Sequence, residues 1–208
     1  MISNTRLLLL LLLISGFINA QEENISENQY SEDFETVFFN LEFYYPMAIG
    51  NSAYSDYNFD PGYALDFNWF VMPEFTLGAR LAVHRGFPQD RSKTGNINRS
   101  TFHLLGLDAG YYQALTREWN IHYKAGIGLI TNVYQAPEDK FSEDGGKLWI
   151  SSEVTKRLNR TLGIFLRTGF DFDFNNIETS ANKSSYFNNN FLFNLGAGIR
   201  INLQNPGG

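Results

Sequence analysis

Phe191-Leu-Phe-Asn-Leu-Gly-Ala-Gly-Ile-Arg-Ile-Asn-Leu203 alternates without a break. Phe191, Phe193, Leu195, Ala197, Ile199, Ile201 and Leu203 fall on one face, and Leu192, Asn194, Gly196, Gly198, Arg200 and Asn202 on the other. A two-residue period is the signature of a β-strand. Thirteen positions are about twice the usual length of a strand in a globular domain. One apolar face against a face of Gly, Asn and Arg suggests a stave of a β-barrel in a membrane.

Seven further segments read the same way, over residues 37–45, 63–71, 75–83, 102–112, 119–130, 147–158 and 162–174. Over positions 37–45, 63–71, 75–83, 105–111, 119–129, 148–154 and 162–174 their apolar faces carry only Ser152 and Thr168 as polar residues. Their opposite faces carry Glu42, Asp66, Arg80, Asp108, Lys124, Glu153, Arg167, Asp171 and Asp173, with Arg200 in the last segment. Connections alternate as well. Residues 72–74, 114–118 and 159–161 are of hairpin length, whereas 46–62, 84–101, 131–146 and 175–190 are long and polar. Tight turns at one end and long loops at the other predict an all-β, eight-stranded antiparallel up-and-down transmembrane barrel with its short turns periplasmic.

The bulk composition agrees with export. Arg6 precedes an unbroken apolar run over 7–14, and Ile18-Asn19-Ala20 ends in a small residue suited to cleavage. The run is too short for a spanning helix, which needs about 20 apolar residues. We therefore expect a signal peptide over 1–20, a flexible acidic periplasmic lead-in over 21–35, the barrel over 36–203 and a tail over 204–208. Mean hydropathy is −0.26, as expected when apolar and polar positions average out along each strand. The absence of Cys removes disulfides, thiolate metal sites and a lipidated N-terminal Cys. A net charge of −6 argues against a nucleic-acid partner.

Alternation alone does not say which face is outside, because a soluble eight-stranded barrel points its apolar face inward. Volume decides. The lumen of such a barrel is just wide enough for side chains to fill, and it cannot hold so many Phe, Tyr and Trp. The polar face is rich in Gly, which suits a crowded interior. The apolar face is therefore expected to meet lipid. Two aromatic girdles follow, with Trp69, Phe75, Tyr111 and Trp119 near the periplasmic boundary. Tyr45, Tyr63, Phe172, Phe174, Phe191 and Phe193 fall near the other.

Inward charges need partners. The short turns place Asp66 opposite Arg80, Asp108 opposite Lys124 and Glu153 opposite Arg167. Lys124 and Glu153 become neighbours in a compatible register, and Glu42 and Arg200 meet where the first strand closes on the last. These eight residues are expected to form an ion-pair network that plugs the lumen, in preference to a selective polar channel. Asp171 and Asp173 read as solvated acids at the outer mouth. His122 and Ser151 face inward at different heights and form no obvious dyad, and His84 and His103 sit at loop mouths. No spacing points to catalysis, a metal or a cofactor.

The signal and the strand phrases Leu105-Gly-Leu-Asp-Ala-Gly-Tyr-Tyr112, Tyr123-Lys-Ala-Gly-Ile-Gly-Leu129 and Leu195-Gly-Ala-Gly-Ile-Arg-Ile201 resemble the small outer-membrane barrels of Gram-negative bacteria. These are the porin-like or outer membrane protein beta-barrel domain families, akin to the OmpA and OmpX barrels. The resemblance covers residues 37–203. It implies outer-membrane lipid and the outer-membrane assembly machinery as partners, together with an unidentified extracellular ligand. It implies a structural or surface-interaction role through four long loops, with a narrow passive channel or small-solute porin as the alternative and a lipid-acting enzyme third. Many members end on an aromatic residue; here Leu203 ends the last strand and a short tail follows.

Overall fold

The structure, a computed structural model, describes residues 35–90, 96–175 and 184–204. The expected signal peptide, the lead-in up to residue 34 and residues 205–208 of the tail lie outside the described residues. Nine strands follow in order: β1 (Glu35–Ile49), β2 (Tyr57–Phe59), β3 (Gly62–Met72), β4 (Phe75–Pro88), β5 (Arg99–Ala114), β6 (Trp119–Gln135), β7 (Lys140–Arg157), β8 (Leu162–Asn175) and β9 (Asn189–Gln204). Eight of them close into a cylinder. Each barrel strand pairs antiparallel with its successor, and β1 pairs with both β3 and β9, so no edge is left open. β2 stands apart from the wall and pairs with β4 alone, through Tyr57↔Pro88 to Phe59↔Gly86. A 3-10 helix (Ala53–Asp56) and a short helix α1 (Ser184–Asn188) lie in the first and last long connections.

The faces sort as the volume argument requires. Leu129 is 70% exposed, Leu107 66%, Leu166 65% and Ile127 65%, all outward. Asp66, Glu153 and His122 are 0% exposed, all inward. A contiguous apolar belt of this extent has no place in water. Lipid is the medium that accommodates it, and closure satisfies every backbone group that would otherwise meet hydrocarbon.

The register follows from the turns. A tight turn at 73–74, with a bulge between Phe70 and Met72, sets Asp66 opposite Arg80. Glu153 likewise stands opposite Arg167. Two of the expected juxtapositions differ. Asp108 faces Gly126, and Lys124 faces Gly110 on one side and Ser151 on the other, with Glu153 opposite His122. The β6–β7 pairing follows from the 136–139 turn, which sets Gln135 opposite Lys140, and the β5–β6 pairing from the turn after β5. Thr116 Oγ1 accepts from the amides of Glu118 (3.2 Å) and Trp119 (3.0 Å), and Leu115 N–H donates to Trp119 O at 2.9 Å. This side-chain-capped turn is centred one residue later than a symmetric 114–118 loop. It slides the partner strand by two positions and leaves every side chain on its face. At the closure, Arg200 faces Asn40, and Glu42 faces Gly198.

The third long connection is also different from the expected loop. Residues 131–135 and 140–144 remain paired, through Gln135↔Lys140, leaving only 136–139 as a turn. Tyr134 and Phe141 stack there with centroids 5.0 Å apart. Cross-strand aromatic pairs sustain a hairpin, and above the lipid belt its outward positions need not be apolar.

The inner wall carries large aromatics beside the charges. Trp149 pairs across strands with Gly126, and Phe165 with Gly198. A Cβ on Gly126 would lie 2.1 Å from Trp149 Cζ2, and one on Gly198 would lie 2.5 Å from Phe165 Cζ. Each glycine is thus the hollow that a neighbouring ring fills, which is how a narrow concave wall reaches interior packing density.

Candidate functional site

The lumen is filled by three layers of polar side chains and closed by an aromatic lid. Nearest the turn end, β9 presents Arg200 and β7 presents Glu153. Their side chains form an ion pair, with both residues at most 1% exposed. Asn40 bridges them, donating to Glu153 Oε2 at 2.8 Å and accepting from Arg200 Nε at 3.2 Å. Arg200 also donates to Asn120 Oδ1 at 3.1 Å, and its guanidinium lies 3.9 Å from the Phe38 ring centroid. Thr155 donates to Glu153 Oε1 at 3.2 Å. Beside this layer, His122 Nε2 shares a hydrogen bond of 2.8 Å with Thr76 Oγ1.

The middle layer is a knot of ion pairs with one loose end, since Lys124 Nζ and both Asp108 oxygens make no hydrogen bond among the described residues. Arg80 Nη1 lies 2.9 Å from both oxygens of Asp66 and 2.8 Å from Glu42 Oε2. Arg167 Nη1 reaches the same two acids, at 3.2 Å to Glu42 and 3.0 Å to Asp66, while its Nη2 donates to Ser151 Oγ at 2.9 Å. Lys124 Nζ is 3.5 Å from Asp66 and 3.9 Å from Asp108. Three cations therefore face three carboxylates, and charge balances within the layer. This is the condition under which buried ions are tolerable.

Three expected partnerships are replaced, Glu42 with Arg200, Glu153 with Arg167 and Lys124 with Glu153. Glu42 is held by Arg80 and Arg167, and Arg200 holds Glu153. The reason is reach. In a lumen this narrow, an arginine extends past the adjacent strand, so Arg167 on β8 crosses β9 to touch β1, and Arg80 on β4 crosses β3 to do so. His122 and Ser151 are held by different groups, Thr76 and Arg167, as expected for residues at separate heights.

The third layer, toward the long loops, was not anticipated. Lys147 on β7 lies 2.7 Å from Asp171 and 3.0 Å from Asp173. Asp173 is 2% exposed, so these acids grip a lysine and are not solvated. The signal was available: Lys147 has the parity of Glu153 and belongs to the same inward row. His84 is also interior, not at a loop mouth. Its Nδ1 is 2.9 Å from Tyr44 Oη and its ring stacks on Phe102 at 4.8 Å. His103, by contrast, is exposed on the outer face. A cavity of about 10 Å³ lies between Tyr44, His84, Asn132, Lys147 and Asp173, room for about one water.

Over this layer folds the first long connection. Tyr54 from the 3-10 helix packs with Phe59, Phe102 and Leu192 in a buried cluster. Asn132 donates to Tyr54 Oη at 3.4 Å, and Tyr54 N–H donates to Asn190 Oδ1 at 3.2 Å. From α1, Tyr186 donates to the Asp56 carboxylate, tying the last connection to the first. Burial, and then the Asp56 carboxylate, push the Tyr186 hydroxyl up to about 12.

On the outer face, Trp69, Phe75, Tyr111 and Trp119 are exposed toward the turn end, with Phe75 and Tyr111 opposite each other and 5.5 Å apart. Tyr45, Tyr63, Phe174 and Phe191 are exposed toward the loop end. Phe172 and Phe193 are half-buried there, Phe172 lying 4.1 Å from Phe174 and 4.2 Å from Phe191, and Phe193 lying 5.3 Å from Phe170.

A closed antiparallel cylinder of eight strands, lipid-facing outside and filled within, defines a small transmembrane β-barrel. Solved barrels of that class match the fold. Neisserial surface protein A aligns with a TM-score of 0.55 at 10% identity, covering 80% of this chain and 96% of that one. The outer membrane protein AlkL aligns at 0.50 and 10% identity, covering 90% and 99%. No protein-family model and no curated protein sequence matches the chain.

Proposed function

We propose that the protein is a resident of the outer membrane, closed to solute flow, that works through the segments at its loop end. The observation carrying this reading is the filled lumen. Among the described residues, three ion-pair layers and an aromatic lid surround a cavity of about 10 Å³ beneath the mouth. An ion crossing it would have to break paired, buried charges, each break leaving an uncompensated partner. The ion-pair network is in this reading a structural plug, and the aromatic residues at the two ends of the outer face are girdles set at the membrane boundaries. Short turns would face the periplasm. The tall β6–β7 hairpin, the lid and the other loops would face outside, where they meet an extracellular ligand. Outer-membrane lipid and the assembly machinery are the remaining partners.

Single-channel recording in planar bilayers tests this. The plugged barrel is expected to insert, as judged by heat-modifiable gel migration of the reconstituted protein, and to produce no steady unit currents in molar salt. Regular unit steps from the folded form would instead establish the narrow-channel alternative.

A further inference from the structure

The loop end is electrically uneven. Residues 84–103 carry Arg85, Arg91, Lys93 and Arg99 against the single acid Asp90. Residues 46–61 carry Asp56 and Asp60 with no base, and 131–146 carry four acids against Lys140. The segment joining β4 and β5 is thus net basic, and the long connections before and after it in sequence are acidic.

Three of its residues, Arg85, Arg99 and His103, have the parity of the outward face. Arg85 continues the outward row Leu77, Leu81 and Val83, and is exposed. Its strand partner is Thr101, and Val83 pairs with His103, so Arg85 and His103 are diagonal neighbours on one face. Arg99 follows two positions beyond Thr101, with the same parity and on the other side of Arg85. Like charges on adjacent strands repel. Among the described residues no carboxylate is paired with Arg85 or Arg99. Arg99 Nη2 donates to Gln135 Oε1 at 2.7 Å, while its Nε is enclosed without a partner. Two acids come near this ladder. Asp60 binds the Arg85 carbonyl through its amide at 2.9 Å, and Asp144 accepts from Thr131, which pairs with His103.

The height is informative. Arg85 is ten residues along β4 from Phe75, an exposed ring at the turn end. At about 3.3 Å per residue and a tilt of about 40°, this is a rise of about 25 Å, the thickness of the apolar band of such barrels. By the same measure His103 lies slightly below that boundary and Arg99 slightly above it. This ladder of two arginines and a histidine therefore stands where lipid headgroups begin.

We propose that Arg85, Arg99 and His103 form an outer-rim site for a phosphomonoester-bearing lipid headgroup, with the acyl chains of that lipid lying on Leu81, Leu105 and Leu107 below it. This rests on the membrane-embedded reading of the barrel, and the phosphate supplies the counter-charge that the protein leaves out.

The test uses full-length protein folded in a neutral detergent, with native mass spectrometry reading bound lipid. Diphosphorylated lipid A is expected to be retained and its phosphate-free form to be lost. The variant Arg85→Ser/Arg99→Ser is expected to bind about 25-fold more weakly, at about fivefold per basic side chain. Lys140→Ser, a change of charge at the hairpin tip, leaves binding unaltered. Equal retention of the two lipid forms, or unchanged binding by the double variant, overturns the site. Displacement of lipid A by equimolar inorganic phosphate also overturns it, as a site for a free anion. Heat-modifiable migration of every variant separates loss of the site from loss of the barrel. If the wild type fails to insert into vesicles, it is the membrane reading that fails.

Discussion

Arg200→Met is expected to destabilise the barrel by about 3–5 kcal/mol, more than a typical single substitution. Arg200 is the cation paired with Glu153, and both are at most 1% exposed. Removing it strands a carboxylate in the lumen and frees Asn40 and Asn120, which it now bonds. The cost is that of an uncompensated buried charge, not the net worth of the pair. The double variant Glu153→Leu/Arg200→Met removes both charges and is expected to recover most of the loss. Recovery stays incomplete because Asn40, Asn120 and Thr155 keep buried polar groups with fewer partners. Urea midpoints of the vesicle-folded protein measure both. A single variant no less stable than the double would show that the ion pair is not buried as described.

Leu107→Arg is expected to cost about 2–4 kcal/mol, the penalty of a cation at the bilayer midplane. Leu107 lies mid-strand on β5, 66% exposed, opposite Ala79 and Ile127. In water such a surface position would take an arginine within about 0.5 kcal/mol. The sign and size of the effect therefore report the medium. Phe75→Arg at the turn end is the paired control, expected to cost about 0–1 kcal/mol because the side chain reaches the interface. Equal costs at the two positions would contradict a lipid belt centred near Leu107.

The barrel was legible in the sequence because each stave obeys one period from end to end, and residues 191–203 show it without interruption. Register was legible where the turn was tight, as at 73–74, which sets Asp66 against Arg80. It was not legible after β5, because the hydroxyl of Thr116 chose the turn. Ion-pair partners were less legible still. Sequence spacing identifies residues opposite one another, whereas Arg80 and Arg167 each reach two strands away to Glu42, and Arg167 reaches one strand further to Asp66. The inward rings of Trp149 and Phe165 broke the pattern of a polar inner face. Their clue was the glycine on the neighbouring strand, which only register reveals. Residues 131–146 read as a loop because a strand beyond the lipid loses its apolar alternation while keeping its hydrogen bonds.

A depth profile along β5 shows whether the outward face lies in hydrocarbon. The chain has no cysteine. Single cysteines at Thr101, His103, Leu105, Leu107, Ala109 and Tyr111, each carrying a fluorophore, can be read in vesicles of lipids brominated mid-chain. Quenching is expected to peak at Leu105 and Leu107 and to fall toward both Thr101 and Tyr111. Uniformly weak quenching along the strand in the folded protein would contradict the account.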